Sequence, residues 1–393
     1  VDPDAFAWLL TDAGSAAIVQ AGHLRAEGAD TLRAGEVLRR TLSADQAAAA
    51  LTQAELRVRA VDKFGDDAGA MFFTPDGLEQ ATRGPVARHR SARLVAAGIR
   101  TVVDLGCGIG GDLVSFARAG LTTAGVDLDP VRVEMARANL VALGLDGAVT
   151  VADATTVDHR AFDVAFADPA RRTERGRTFS VDAWTPPWSF VADLLTGPAC
   201  VKTAPGIPHD LVPDGVEAEW VSDHGEVKEA ALWSGYLATV RRRATVIGTG
   251  GLATLTDEDD PGAEVGPVAA FLYEPDGAVI RAGLVTAVAD RVGGRLIDEH
   301  IAYVTAASAV TTPFARCYRV VEELPYREKA LKAALRERGI GRLTIKKRGV
   351  AIEPDALRKR LAPTGDAEGT IVLTRVAGQG TCLLVEPYFQ ART

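Results

Sequence analysis

Apolar residues recur at helical spacing through the first sixty residues, where Leu38 and Leu42, then Ala47, Leu51 and Ala54, fall on one face of successive turns. Ser43-Ala44-Asp45-Gln46 carries the hydroxyl and amide of a capping box, so it opens the helix that contains Leu51. Between residues 62 and 85 the pattern changes. Lys63-Phe64-Gly65 precedes the aromatic run Met71-Phe72-Phe73, which ends in the turn Thr74-Pro75-Asp76-Gly77. Another helix then runs from Val86 to Ala97. From Arg100 onward short apolar runs alternate with helical ones: strands at Thr101–Leu105, Thr122–Val126, Val149–Ala152, Asp163–Ala167 and Ala199–Lys202, helices at Leu113–Ala119 and Val131–Leu143.

Strands separated by helices of this length predict a parallel sheet covered on both faces, and right-handed crossovers make it doubly wound. Trp220–Ser222, Ala230–Trp233 and Thr245–Ile247 are candidates for its last strands. The acidic run Asp257-Glu258-Asp259-Asp260 lies in a stretch rich in turn residues and marks a boundary. Residues 266–312 show no clear period. A compact pattern resumes near Arg319, with helices at Tyr326–Arg338 and Asp355–Leu361 and strands at Leu343–Lys347, Thr370–Arg375 and Cys382–Val385. The expected fold class is α/β: a Rossmann-like doubly wound sheet over 86–248, preceded by a helical domain over 1–85. A connecting region over 249–318 and a small α/β domain over 319–393 follow.

Composition narrows the function classes. A chain of 393 residues is too long for one ordinary core, and 47% hydrophobic with 24% charged residues describes a soluble globular protein. The acidic start Val1-Asp2-Pro3-Asp4 lacks a signal-peptide layout, and no uncharged apolar run is long enough to span a bilayer, so no membrane partner is expected. Cys107, Cys200, Cys317 and Cys382 are far apart, which argues against a zinc site or disulfide framework and for a reducing, cytoplasmic setting. His23, His89, His159, His209, His224 and His300 have no ligand spacing, so no metal is expected. Net charge is −8, yet from Phe314 onward about 16 cations face about 9 acids. A basic appendage on an acidic body suits a polyanion, although a solvated helical face explains the charge alone equally well.

Candidate chemistry begins at Asp104-Leu105-Gly106-Cys107-Gly108-Ile109-Gly110-Gly111-Asp112, between the first strand and its helix. Glycines there allow a sharp turn and close backbone approach, and a helix N-terminus offers free N–H groups. Gly106, Gly108 and Gly111 also satisfy the dinucleotide spacing. Neighbouring acids favour S-adenosylmethionine instead. Asp104 would oppose a pyrophosphate but suits an ammonium. Asp127 ends the second strand, where a carboxylate can accept two ribose hydroxyls. Asp153, followed by Ala154, ends the third, where it can accept from an adenine amine. Each alone reads equally as an Asp capping the next helix, but three on consecutive strands converge where doubly wound sheets bind ligands.

These residues resemble the first motif, second-strand acid and third motif of the class I S-adenosylmethionine-dependent methyltransferases over roughly residues 60–245. More narrowly, Gly108-Ile109-Gly110-Gly111-Asp112 with Phe116-Ala117, and Val126-Asp127-Leu128-Asp129-Pro130, resemble trimethylguanosine synthase and its bacterial relatives. That resemblance implies an upstream segment closing the cofactor pocket, here Lys63-Phe64 and Gly77 through Thr82. The cofactor residues are then Thr82, Asp104, Gly106, Gly108, Gly110, Asp127, Asp153 and Ala154.

Asp168-Pro169-Ala170-Arg171-Arg172 ends the fourth strand, where amine methyltransferases of this class carry an acid or amide, two prolines and an aromatic. Asp168 and Pro169 keep the first half of that pattern, and Ala170 and Arg171 depart from it. The expected catalytic residues are Asp168, Pro169 and Arg171, with Asp168 and a following carbonyl accepting from an amine. A structural turn and a structural arginine ion pair are the competing readings. Arg172, Trp188 and Lys202 are expected at the substrate, Trp188 (or Trp184) by stacking and Lys202 by meeting a phosphate, with a buried aromatic and a lysine reaching to solvent as the competing readings. Thr185-Pro186-Pro187-Trp188 resembles the family tetrapeptide but lies past the strand end, so it is expected to shape a pocket wall. Lys346-Lys347-Arg348 ends a strand and Arg358-Lys359-Arg360 follows on a helix, two clusters that suit a phosphate backbone. Leu324–Pro387 resembles the THUMP-like domain that follows some bacterial methyltransferases, which implies an RNA substrate, with a scaffold or dimerisation domain as the competing reading. The expectation is an RNA methyltransferase acting on a base amino group. A small-molecule or protein methyltransferase and a non-catalytic RNA-binding protein stay open, and nothing in the pattern sets an oligomeric state.

Overall fold

The computed structural model describes residues 2–171 and 184–388, the side chains of Ala170 and Arg171 excepted. It forms two compact units. The first gathers Val1–Thr203, His209–Val216 and Ala231–Ala238; the second gathers Ala204–Pro208, Glu217–Ala230 and Thr239–Thr393.

Helices α1 (Pro3–Leu9), α2 (Asp12–Ala26), α3 (Thr31–Leu38) and α4 (Ala44–Phe64) open the first unit. The capping box is present: the Ser43 hydroxyl accepts from the Gln46 amide at 3.2 Å, and the Gln46 side chain accepts from the Ser43 amide at 3.1 Å. Helices α5 (Pro75–Gln80) and α6 (Gly84–Ala96) follow the aromatic run. Then come β1 (Thr101–Leu105), α7 (Gly111–Arg118), β2 (Thr122–Asp127), α8 (Pro130–Ala142), β3 (Ala148–Val151) and β4 (Val164–Ala167). The short strands β5 (Ala170–Arg171) and β6 (Trp184–Thr185), helix α9 (Trp188–Leu194) and β7 (Ala199–Thr203) complete it.

Five of these strands lie in the order β7-β4-β1-β2-β3, and each neighbouring pair is parallel. This is the Rossmann-like arrangement. The chain leaves central β1 toward β2 and β3, then crosses to β4 on its other side, and the crevice opens where the direction reverses. One apolar cluster packs α1, α2 and α4 with Ile109, Leu113, Met135 and Leu140. Another joins Leu94, Val102, Phe116, Phe166 and Trp233.

The second unit begins with β8 (Glu217–Asp223), part of β9 (Glu226–Trp233), β10 (Arg242–Gly248) and β11 (Gly251–Thr256); β10 is parallel to β8 and antiparallel to β11. Residues 266–312 supply β12 (Phe271–Pro275), α10 (Gly277–Ala282), α11 (Val285–Arg291), β13 (Arg295–Leu296) and β14 (Val304–Ala306). These elements are too short to show a period in sequence. The unit ends with β15 (Ala315–Leu324), α12 (Glu328–Glu337), β16 (Ile340–Lys347), α13 (Pro354–Leu361), β17 (Ala367–Val376) and β18 (Gln379–Pro387). Seven of its strands form one sheet, ordered β13-β14-β12-β15-β18-β17-β16. Helices α12 and α13 bury Leu331, Leu335, Leu357 and Leu361 against Leu343, Ile345, Ile371 and Leu373 on one face of it. No helix among the described residues is long and apolar enough to cross a membrane.

Candidate active site

The β1–α7 turn is built by three glycines in conformations that L side chains rarely adopt: φ is 113° at Gly106, 54° at Gly108 and 82° at Gly110. The Gly106 and Cys107 amides both donate to the Val126 carbonyl at 2.9 Å, which ties the turn to β2. A Cβ built on Gly106 or Gly108 would meet nothing within 4 Å, so these two positions line open space. A Cβ on Gly110 would lie 3.1 Å from that of Ala136, so this glycine serves helix packing instead.

Asp104 lies one residue before the end of β1 and is only 2% exposed. Its Oδ1 is buried and has no hydrogen-bond partner among the described residues. Burial raises its pKa well above the ordinary carboxylate range, and the charges of Asp112, Asp168 and Asp127 raise it further, while Arg90 opposes them. A buried carboxylate oxygen without a donor is costly, and a cationic ligand at this point offsets the cost.

The other two acids are satisfied locally. Asp127 accepts from the Gly108 amide at 3.0 Å and the Asp129 amide at 2.9 Å. Asp153 is exposed and accepts from the Thr155 amide at 2.9 Å and hydroxyl at 2.8 Å, which hold its pKa below the usual range. Both therefore cap the turn that follows their strand; Asp127 ends β2, which pairs with β1, and Asp153 follows β3, which pairs with β2. Ala154 is buried behind Asp153.

Upstream, the aromatic run is stitched to the glycine turn. Asn139 of α8 is fully buried, accepts from the Phe72 amide at 2.6 Å and donates to the carbonyls of Phe72 at 3.0 Å and Ile109 at 2.8 Å. Gln53 of α4 clasps both backbone groups of Phe73, at 2.7 and 3.0 Å. A Cβ at Gly77 would fall 2.7 Å from Ile109, so the Thr74–Gly77 turn rests directly on the glycine loop. Lys63 gathers the carbonyls of Leu78, Glu79 and Ala81 at 2.6–2.8 Å. Thr82 is buried, and its hydroxyl donates to Asp112 at 2.9 Å. The other Asp112 oxygen pairs with Arg90, whose guanidinium lies 4.7 Å from the Phe166 ring centre. The sequence reading assigned no role to Asp112, Arg90 or Asn139. Asp112 carried a signal, standing directly after the glycines; Arg90 and Asn139 are polar residues on otherwise unremarkable helices.

At the end of β4, Asp168 accepts from Lys202 of β7 at 2.5 Å. Adjacent parallel strands bring the two together, and the lysine side chain is only 14% exposed. Lys202 is thus engaged by the candidate catalytic acid. Strands β5 and β6 are antiparallel, pairing Ala170 with Thr185 and Arg171 with Trp184. This returns Thr185-Pro186-Pro187-Trp188 to the segment that follows Asp168-Pro169. Trp188 is half-buried and meets buried Trp184 edge-on, with ring centres 5.3 Å apart. The Arg171 side chain and all of Arg172 lie outside the described residues.

In the second unit each of the expected RNA cations meets a protein group. Lys346 pairs with Glu274 at 2.7 Å, Lys347 with Glu353 at 2.9 Å, and Arg348 lies over Tyr303 at 5.4 Å. Among the described residues no group of three or more metal-ligating side chains occurs.

Three family models match this sequence: a methyltransferase domain over residues 102–174, a THUMP domain-like model over 315–387, and Domain of unknown function (DUF8688) over 2–60. Two curated relatives from Mycobacterium tuberculosis, strains CDC 1551 / Oshkosh and ATCC 25618 / H37Rv, each carry the name Uncharacterized S-adenosylmethionine-dependent methyltransferase. Each is 38% identical over 345 residues, covering 85% of this chain and 94% of the relative. A crystal structure named as a methyltransferase from Porphyromonas gingivalis W83 shares the fold, with a TM-score of 0.73 and 23% identity over 88% of this chain and 92% of that one.

Proposed function

We propose that this chain, which belongs to the S-adenosylmethionine-dependent methyltransferases, methylates an amino group of an RNA base. S-adenosylmethionine is its cofactor and, when bound, supplies an electrophilic methyl group on a sulfonium. The residues present fit that group. The buried, donor-lacking Oδ1 of Asp104 suits an ammonium, and open space above Gly106 and Gly108 leaves room for close approach. Asp127 would receive the ribose hydroxyls, and Asp153 with Ala154 would receive the adenine. Gly110 shapes the turn, and the segment ending at Thr82 covers it.

The observation that carries the reaction is the Asp168–Lys202 pair. Lys202 holds one oxygen of Asp168 and so orients the other. In this reading that oxygen and the Pro169 carbonyl accept from the two N–H groups of an exocyclic amine and set its lone pair toward the methyl. Methyl transfer to that nitrogen would exchange the carbon–sulfur bond for a carbon–nitrogen bond and leave one extra proton on it, which would pass to water. No strong base is required, and positioning of this kind supplies roughly 7–11 kcal/mol. Trp188 is the ring that stacks on the base, brought back by the β5–β6 pairing to a motif that lacks its own aromatic. Arg171 and Arg172 are proposed to meet the substrate phosphates. The proposed division of labour keeps 86–248 for methyl transfer, 1–85 as its helical cover and 319–393 for RNA, while 249–318, expected as a connection, adds β12, β13 and β14 to the sheet that carries 319–393; the narrower kinship with the trimethylguanosine synthase group belongs to this proposal. The THUMP domain-like match supports an RNA acceptor.

Incubation with radiolabelled cofactor and total RNA, followed by mass spectrometry of the nucleosides, tests the reading. Label in a base amino group is expected. Label in protein or small molecules alone rejects the RNA acceptor, and RNA binding without any transfer makes the protein non-catalytic. Asp168→Ala should keep cofactor affinity and lose about 10² in turnover, the scale of a lost positioning contact.

A further inference from the structure

We propose that the exposed face of α12 and α13 is the docking surface for the RNA phosphate backbone. This rests on the RNA reading above and says where on the second unit the polyanion lies.

Helix α12 exposes Lys329, Lys332 and Arg336, at i, i+3 and i+7, and buries Leu331 and Leu335. At 100° per residue the three cations fall within about 60° of arc, so they form one stripe. Lys332 donates to the Arg360 carbonyl at the end of α13 at 3.3 Å, which sets Lys359 and Arg360 beside that stripe. Most acids on or beside these helices are paired: Glu328 with Arg360 at 2.9 Å, Asp355 with Arg358 at 2.7 Å and Glu353 with Lys347 at 2.9 Å, while Glu337 at the end of α12 lies 3.8 Å from Arg338. Arg327, Lys329, Lys332, Arg336 and Lys359 are exposed and have no carboxylate within ion-pair distance among the described residues.

Helix stability does not explain this pattern. Arg336 and Lys359 stand in last turns, where the helix dipole favours cations. Arg327 and Lys329 stand at the opposite, positive end of α12, where the dipole disfavours them. A partner carrying regularly spaced negative charge resolves the conflict. Neither helix carries any of the exposed large apolar residues, so the helices lack the wedge that seats a helix in a membrane. Lys346, Lys347 and Arg348 are committed to protein partners and contribute less.

The test uses the full-length protein, bulk tRNA as the probe, and the slope of log affinity against log salt. Each lost phosphate contact lowers that slope by about 0.7–0.9. Lys329→Ala/Arg336→Ala/Lys359→Ala, which keeps Lys332 as the cap of α13, is expected to shed about two units. Arg33→Ala/Arg40→Ala/Arg59→Ala removes equal charge from exposed positions elsewhere and should leave the slope unchanged. Lys329→Gln alone removes a cation from the wrong end of a dipole. It should lose about one unit while the melting temperature holds or rises, which separates binding from folding. An unchanged slope in the α12/α13 variant while wild type binds tRNA steeply overturns this surface and spares the RNA reading. Wild-type protein that does not bind tRNA removes both. Phosphatidylserine vesicles or polyglutamate held as tightly, with the same loss in the variant, would assign the face to a membrane or an acidic protein instead.

Discussion

Asp104 is held at a cost that only a ligand recovers. A carboxyl whose folded pKa is raised contributes stability that is full below its ordinary range and is lost as pH rises through the folded value. At neutral pH the ligand-free protein therefore carries that loss, and Asp104→Asn should melt at a higher temperature than wild type. Cofactor affinity moves the other way. Losing a charged hydrogen bond of about 1.5–3 kcal/mol should weaken binding roughly 10- to 100-fold. Melting curves from pH 5 to 9, with and without cofactor, together with calorimetric titration, check both halves. Undiminished affinity would remove Asp104 from the pocket. The same logic has cofactor binding ionise this group, so uptake should release a proton in any buffer below the raised pKa.

At the scale of elements, one side chain of α8 joins the aromatic run to the glycine turn. Asn139→Ala would strand the Phe72 amide and the carbonyls of Phe72 and Ile109 in a buried setting. The expected loss is about 2 kcal/mol or more, read as a lower denaturation midpoint, with weaker cofactor binding as a second readout. Sequence alone makes the principal elements of the first unit legible, because their helices and strands are long enough to show a period. The strand ends that carry the three acids were legible too, since Asp104 and Asp153 follow β-branched runs and Asp127 a short apolar one. What escaped was whatever depends on contacts distant in sequence. Asn139 reads as one polar residue on a helix, and its partners lie 67 and 30 residues away. Lys202 reads as a cation at a strand end, and only the β4–β7 pairing reveals its partner. The tetrapeptide at Thr185 looked like a distant imitation until β5 and β6 paired. Lys346 and Lys347 looked like free cations because Glu274 is 72 residues from the first and Glu353 gives no sign in sequence of facing the second.

Across the whole molecule, acid should act on both units alike. Asp163 accepts from the Arg100 and Thr101 amides at 2.9 Å, and Asp298 accepts from those of His300 and Gly378 at 2.9 and 2.8 Å. These donors hold both carboxyls below their ordinary range. A depressed pKa gives stability that is present above the unfolded value and fades as pH falls through the folded one. The stability that these two carboxyls supply should therefore stay level down to about pH 4 and fall below it. Asp163→Asn should lower the melting temperature at pH 7 and flatten that acid limb. Circular dichroism melts between pH 2 and 7 decide the matter, and an acid limb identical in the variant would clear Asp163 of the effect.

The β5–β6 clasp reaches beyond the contacts it makes. Chain that departs from Asp168-Pro169 is returned beside its point of departure, with both ends registered by the backbone pairs Ala170–Thr185 and Arg171–Trp184. In the proposed reading these two pairs, and not the sequence that joins them, hold Asp168 and Trp188 in place. Exchanging that joining sequence should then change the preferred acceptor while cofactor affinity, read by calorimetry, stays the same.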